Sequence, residues 1–137
     1  MIDKDTNAFN GYMAAMKMPK KTEEIEAREK AMLEGLKEAI SVPLNGMRTA
    51  AKAWEFMIAM SKIGNIKSMS DLQVGAKCLE TGIWGCYQNV LINMGDIKDE
   101  AYKTEVLSEA DEIVKKSQES LQIVLDNLKA RKDNGEN

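Results

Sequence analysis

Helical periodicity runs through almost the whole chain and most constrains its fold. Four segments place apolar side chains at steps of three and four residues, and none shows the alternation typical of a strand. These segments cover residues 2–17, 25–63, 70–93 and 99–128. Only two prolines interrupt the 137 residues, which leaves room for long helices. The sequence therefore predicts an all-α fold, an elongated helical bundle of four to five helices.

The two prolines divide the first half of this pattern differently. Pro19 ends the first helix, because the residue before a proline is pushed out of the helical region. Pro43 lies inside the second segment, with Asn45 and Gly46 close behind. Two interpretations fit: one long second helix kinked near Pro43, or two helices with a tight turn at Asn45-Gly46. We favour the kink.

Polar residues at the segment ends predict the later helix boundaries. Ser70 and Gln73 have the spacing of a capping box, in which each side chain bonds to the backbone of the other. The last helix is expected to begin near Asp99. We assign residues 1–130 to one helical domain and residues 131–137 to a frayed polar tail.

Composition excludes several classes of function. The chain has no histidine, which rules out Ser-His-Asp and Cys-His nucleophile systems and histidine-ligated metal sites. Its net charge of −3 argues against nucleic acid as a partner. Cys78 and Cys86 lie about 12 Å apart along one helix, too far for a disulfide. The uncharged run 81–95 is too short to span a bilayer, so we expect a cytoplasmic protein with no membrane partner.

The third helix has an unusual face of small and polar residues, opposite an ordinary core seam. The small face consists of Asp71, Gly75, Cys78, Gly82, Gly85, Asn89 and Asn93. Each glycine inside a helix costs about 1 kcal/mol relative to alanine, so three on one face require a reason. One reason is close packing against another helix, including one of a second copy across a dimer axis. The other is a groove in which a flat ligand lies against the backbone.

The charged residues near these features also have ordinary explanations. Asp71 lies in the first turn of its helix, where the helix dipole stabilises a carboxylate. Asp5 fits a solvated helix face, and Lys20 and Lys21 fit an exposed loop. Residues and spacing alone therefore predict a helical bundle with one peculiar face.

Several segments resemble a known family. They are Asp5-Thr6-Asn7-Ala8-Phe9, Met18-Pro19-Lys20, Val42-Pro43-Leu44, Gly64-Asn65, Ser70-Asp71-Leu72-Gln73-Val74, the run 85–93 (GCYQNVLIN) and the run 96–100 (DIKDE). In this order they resemble the cyclodeaminase domain of formiminotransferase-cyclodeaminase over nearly the whole chain. That domain begins further upstream, with helices and a glycine-rich segment. By this resemblance, residues 1–130 correspond to its C-terminal part, and the chain is N-terminally truncated.

The resemblance implies a helical homo-oligomer, a dimer or larger, with its site between helices near the subunit boundary. It implies conversion of 5-formimidoyltetrahydrofolate to 5,10-methenyltetrahydrofolate with loss of ammonia, a step of histidine degradation and folate one-carbon metabolism. A formiminotransferase domain is the implied partner, and no cofactor or metal is implied beyond the tetrahydrofolate substrate. Methenyltetrahydrofolate cyclohydrolases belong to the same superfamily and are the first alternative. The second alternative is a non-catalytic helical dimerisation fragment.

Given this resemblance, four charged residues are candidates for the chemistry. The product is a delocalised cation, which a fixed carboxylate stabilises as the charge develops. Asp71 and Asp5 are the catalytic candidates, Asp71 first. Lys20 and Lys21 are candidates for holding the glutamate tail of the folate.

The small face of the third helix supplies the remaining candidates. Gly82 and Gly85 would let the pterin ring lie against the main chain. Asn89 and Asn93 would orient the pterin or the reaction adduct by hydrogen bonds.

Overall fold

The computed structural model describes residues 2–18 and 24–136, which form α-helices joined by short connections. The helices are α1 (Ile2–Met16), α2 (Ile25–Ala51), α3 (Ala53–Ile63), α4 (Met69–Met94) and α5 (Glu100–Asp133). These residues contain no strand, so the predicted all-α bundle is confirmed. Nor does any helix in the same two ranges combine the length and apolar character needed to cross a membrane.

Helix α2 continues through its proline. Pro43 is buried inside the helix, and Asn45 and Gly46 follow it in helical conformation. The predicted continuation of the second helix through Pro43 is therefore confirmed, and the alternative turn at Asn45-Gly46 is wrong, but the segment 25–63 forms two helices rather than one. The chain leaves α2 only at Lys52, whose N–H donates to the Thr49 carbonyl at 3.3 Å, and α3 begins at the next residue. At 27 residues, α2 spans about 40 Å.

The core lies along the α2–α4 contact and is closed by α5. Its buried apolar residues are Leu36, Ile40, Leu44 and Met47 of α2, Ala76, Ile83, Val90 and Met94 of α4, and Val106, Ala110, Val124 and Leu128 of α5. The core seam predicted for the third helix is thus confirmed. Trp54 of α3 joins this core, and its indole N–H donates to the buried Ser117 hydroxyl at 3.1 Å.

Helix α1 packs against α2 where a glycine permits close approach. A Cβ on Gly35 would lie 3.0 Å from the Tyr12 Cα and 3.1 Å from the Tyr12 backbone nitrogen. Contacts this short are tighter than nine in ten real Cβ contacts, so the neighbouring main chain would have to shift by a few tenths of an ångström. Gly35 therefore sets the separation of the two helices, and with it the position of the beginning of α1.

The helix starts agree only in part with the sequence. Asp99 caps α5 as expected, since its side chain accepts from the Tyr102 backbone N–H at 3.1 Å. The capping box predicted at Ser70 is absent. Helix α4 begins at Met69, so its N-cap is Ser68, two residues before the predicted Ser70, and Ser68 makes no side-chain cap bond. A preceding 3₁₀ turn (Ile66–Ser68) is instead capped by Asn65, which accepts from the Lys67 N–H at 3.0 Å.

The C-terminal residues are more ordered than a frayed tail. Helix α5 continues to Asp133. The Arg131 guanidinium donates to the Ser61 and Gly64 carbonyls at 3.3 and 2.9 Å and pairs with Glu136 at 2.7 Å. These bonds join α5 to the end of α3. Residues 131–133, the first three of the segment 131–137 that was expected to be a frayed tail, therefore belong to helix α5.

Candidate functional site

The small-residue face of α4 divides into a packed part and an open part. A Cβ on Gly75 would lie 3.3 Å from the Met57 methyl group, so α3 covers that end. At Gly82 and Gly85, no neighbouring atom of the described chain lies within 4 Å of the corresponding position. Helix packing among the described residues therefore accounts for Gly75 but not for Gly82 or Gly85.

Gly82 opens into a groove of about 510 Å³ between α4, α2 and the beginning of α1. Its lining residues are Val42, Asn45, Gly46, Thr49 and Ala50 of α2, Gly82 and Cys86 of α4, and Lys4 of α1. This volume falls in the range of small-molecule sites. The walls are mainly apolar, and Lys4, Asn45 and Thr49 add a few polar groups. Such a groove fits a planar ring with some hydrogen-bonding atoms.

Sequence reasoning missed the α2 wall of this groove. Asn45-Gly46 is typical of a turn, but Val42, Asn45, Gly46 and Thr49 have the i, i+3, i+4, i+7 spacing of one helix face. That spacing was the available signal. It gains meaning only if the helix continues through Pro43.

Asp5 is the predicted catalytic residue that lies near this groove. It follows the lining residue Lys4 on α1 and is exposed. Burial raises the pKa of the Cys86 thiol, and the nearby Asp5 charge raises that pKa further. The raised pKa keeps Cys86 protonated at neutral pH, so it is a poor nucleophile. Asp5 itself is near Cys86 but is not among the residues that line the groove.

Asp71 lies away from the groove. It is exposed at the beginning of α4, eleven residues before Gly82, which corresponds to about 16 Å of helix. The separation from Cys86 is about 22 Å by the same geometry. A single chain therefore does not bring Asp71 and Asp5 together.

Of the other predicted residues, the three that the structure describes, Gly85, Asn89 and Asn93, also lie outside the groove lining. The Asn93 side-chain N–H donates to the Asn89 carbonyl at 2.8 Å, so that amide is already engaged by its own helix. Asn89 is exposed one turn beyond Gly85. Lys20 and Lys21 fall outside the described residues.

A second, larger groove of about 650 Å³ lies between α1, α2 and the connection to α5. None of the predicted site residues that the structure describes lines it. Its described charged residues have both signs: Arg28, Lys98, Glu29, Asp96 and Asp99. Because carboxylates match the cations, this groove offers no net counter-charge to an anionic ligand. The groove beside Gly82 is therefore the candidate site.

Known proteins resemble this chain over most of its length. A family model described as formiminotransferase-cyclodeaminase matches residues 1–112. Formimidoyltransferase-cyclodeaminase of Dictyostelium discoideum is 48% identical over 129 residues, 94% of this chain and 23% of the relative. The Sus scrofa protein of the same name is 42% identical over 132 residues, 96% of this chain and 24% of the relative. This chain thus spans about a quarter of those relatives.

Two further similarities involve shorter proteins. Methenyltetrahydrofolate cyclohydrolase of Methylorubrum extorquens is 31% identical over 112 residues, 81% of this chain and 54% of the relative. The crystal structure of formiminotetrahydrofolate cyclodeaminase from Thermotoga maritima superposes with a TM-score of 0.80 at 27% identity, covering 93% of this chain and 60% of that one. The family match confirms the resemblance inferred from the sequence segments, and this chain belongs to the formiminotransferase-cyclodeaminase family.

Proposed function

We propose that this chain forms the folate-binding part of a formimidoyltetrahydrofolate cyclodeaminase. The reaction converts 5-formimidoyltetrahydrofolate to 5,10-methenyltetrahydrofolate and ammonia, as a step of histidine degradation. The observation that carries the proposal is the open glycine surface of α4. Gly82 lines a groove of small-molecule size, and the described chain has nothing of its own to fill the space beside Gly82 and Gly85. A pterin ring lying there would contact the main chain directly.

The proposed reaction requires a base, an acid and a group that stabilises positive charge. N10 of the folate attacks the formimidoyl carbon and forms the new N–C bond. The bond from that carbon to the former imino nitrogen then breaks, and ammonia leaves. A base accepts the N10 proton, and an acid protonates the departing nitrogen. Asp5 would stabilise the cation that forms.

We propose that Asp71 reaches the same site from a second copy of the chain. Its distance from Gly82 along α4 prevents it from acting there within its own subunit. Helix α4 also exposes the apolar side chains of Val74, Trp84 and Ile92, the last of which is 78% exposed. Exposed apolar side chains on one helix favour coverage by a partner. A homodimer formed through α4 would cover them and complete the site.

Substitution of Asp5 tests its catalytic role. Asp5→Asn should lower turnover of 5-formimidoyltetrahydrofolate about tenfold or more, because it removes the charge while keeping the side-chain size. Asp3→Asn is the matched control, since Asp3 is exposed on the same helix and points about 160° away from Asp5. Equal rates for the two variants would remove Asp5 from the mechanism.

A complementation assay tests the second copy. Asp5→Asn and Asp71→Asn should each retain about a tenth of the unmutated rate or less when assayed alone. The proposed site takes Asp5 from one subunit and Asp71 from the other. When equal amounts of the two variants associate at random, half of the dimers contain one copy of each variant. In each of these heterodimers one of the two sites is intact. Mixing the two variants should then restore about a quarter of the unmutated rate. No restoration would mean that the two carboxylates do not share an intersubunit site.

The similarity to a methenyltetrahydrofolate cyclohydrolase supports a second candidate activity. In that reaction water attacks the methenyl carbon, and the same groove and carboxylate would serve it. Supplying 5-formimidoyltetrahydrofolate and 5,10-methenyltetrahydrofolate separately shows which one is consumed. If equilibrium titration with tetrahydrofolate shows no saturable binding, the chain is a dimerisation fragment without a folate site.

We also propose that this chain works with a formiminotransferase domain. The curated relatives named formimidoyltransferase-cyclodeaminase are about four times as long as this chain, which favours a formiminotransferase domain as a partner. A cytoplasmic location remains a prediction from the sequence. Co-purification with a formiminotransferase, followed by transfer of the formimidoyl group through both activities, would test the partnership.

A further inference from the structure

An ion pair between α2 and α5 stands directly beside the groove. The Arg48 guanidinium donates to both carboxylate oxygens of Glu109, from Nε at 2.5 Å and from Nη2 at 2.7 Å. Two parallel bonds fix the plane of the guanidinium more firmly than one bond would. The hydrogen bond raises the pKa of Arg48 and lowers that of Glu109, so both remain charged at neutral pH.

The same guanidinium has a third partner. Arg48 Nη1 donates to Asn45 Oδ1 at 2.7 Å, one turn earlier on α2. Since a guanidinium can only donate, the atom of the amide that faces it must be the oxygen. The hydrogen-bonding capacity that remains on Asn45 is therefore mainly that of its Nδ2 donors. Asn45 itself lines the groove, across from Gly82.

We propose that Arg48 is a positioning residue, which holds the Asn45 amide so that its Nδ2 group donates to a ligand in the groove. The matching ligand edge carries hydrogen-bond acceptors, such as the carbonyl oxygen and ring nitrogens of a pterin. This inference rests on the proposed folate function and adds to it an orienting donor on α2. Without Arg48, the exposed amide could rotate and present either its oxygen or its nitrogen.

The ion pair could instead serve only to join α2 to α5. The two roles differ in what they affect. A purely structural pair would change stability alone, and by little, because both partners are partly exposed. A positioning role changes the mobility of one side-chain amide and the affinity for a ligand that accepts its hydrogen bond.

Side-chain amide NMR relaxation tests the positioning without any ligand. The Asn45 Nδ2 group should show an order parameter above about 0.7, and Arg48→Met should lower it below about 0.6. The matched control is Lys116→Met, which removes an exposed ion pair of α5 with Glu112, both residues lying outside the groove lining. A mobile Asn45 amide in the unmutated protein, or one unaffected by Arg48→Met, would overturn the inference whether or not folate binds.

A double-mutant cycle tests the consequence for the ligand. Asn45→Asp keeps the acceptor for Arg48 but removes the donors, so it should weaken tetrahydrofolate binding about fivefold or more. Arg48→Met should weaken binding to a similar extent, and the double variant should bind no more weakly than Asn45→Asp alone. Additive losses, or an unchanged Kd for Arg48→Met, would refute the coupling. Failure of the unmutated protein to bind tetrahydrofolate would refute the proposed function, while the relaxation result would stand by itself.

Discussion

Gly82→Ala should make the protein more stable and a weaker binder of folate. Gly82 lies inside α4, and its missing Cβ points into open space within the described chain. Because alanine has the higher helix propensity and its Cβ meets no neighbouring atom of the described chain there, the substitution should raise the free energy of unfolding by about 1 kcal/mol. For a chain of 137 residues this corresponds to a rise in Tm of about 3–4 °C. The added methyl group stands where the pterin ring is expected to lie, so the Kd for tetrahydrofolate should rise.

Gly11→Ala provides the matched control for this trade-off. Gly11 lies inside α1, and a Cβ there would also meet nothing within 4 Å among the described residues. It should give a similar gain in stability without any loss of folate binding. Differential scanning calorimetry gives the Tm, and fluorescence titration with tetrahydrofolate gives the Kd. If Gly82→Ala binds folate as tightly as Gly11→Ala does, the glycine does not make room for a ligand.

Three further predictions concern the packing and charges around the site. Gly35→Ala should lower the free energy of unfolding by about 1–3 kcal/mol in urea titration, because its Cβ meets the Tyr12 backbone at 3.0 Å; a neutral effect would mean that α1 is free to shift. Arg131→Met should cost about 1–2 kcal/mol in the same assay, since it leaves carbonyl oxygens at the end of α3 without donors, and a cost no larger than that of Lys132→Met would contradict this role. Glu109→Gln should reduce stability at neutral pH but matter progressively less as the pH falls below about 4.5, because a hydrogen-bonded guanidinium lowers the pKa of this carboxyl in the folded state; an unchanged cost near pH 3 would contradict the assignment.

The sequence was sufficient for those parts of the fold that are local or depend on one helix face. The apolar spacing of α4 correctly predicted its buried seam, and Asp99 correctly predicted the beginning of α5. The capping box that spacing predicted at Ser70 is wrong, because a 3₁₀ turn capped by Asn65 leads into α4 instead. A local sequence pattern shows which caps and helices a segment can form. Which of them forms depends on the structure adopted by the neighbouring segment, here the 3₁₀ turn before α4.

The groove required information that periodicity does not contain. The sequence identified the glycine face of α4 but not the residues opposite, since these depend on how α2 and α1 pack against it. The same limit applies to Asp5 and Asp71. Both fit the chemistry, and the spacing along α4 already separates Asp71 from Gly82, yet only the fold shows that Asp5 lies near Cys86. Which helix surfaces face each other depends on tertiary packing, and the periodicity of a single segment does not contain that information.

The claim that a reduced folate binds against the bare main chain of α4 is tested most directly by intermolecular NOE measurements on the complex with tetrahydrofolate. We expect NOEs between the pterin ring protons and the α-protons of Gly82. NOEs from the ring to Tyr12 and Leu33, which line the larger groove, would contradict the account.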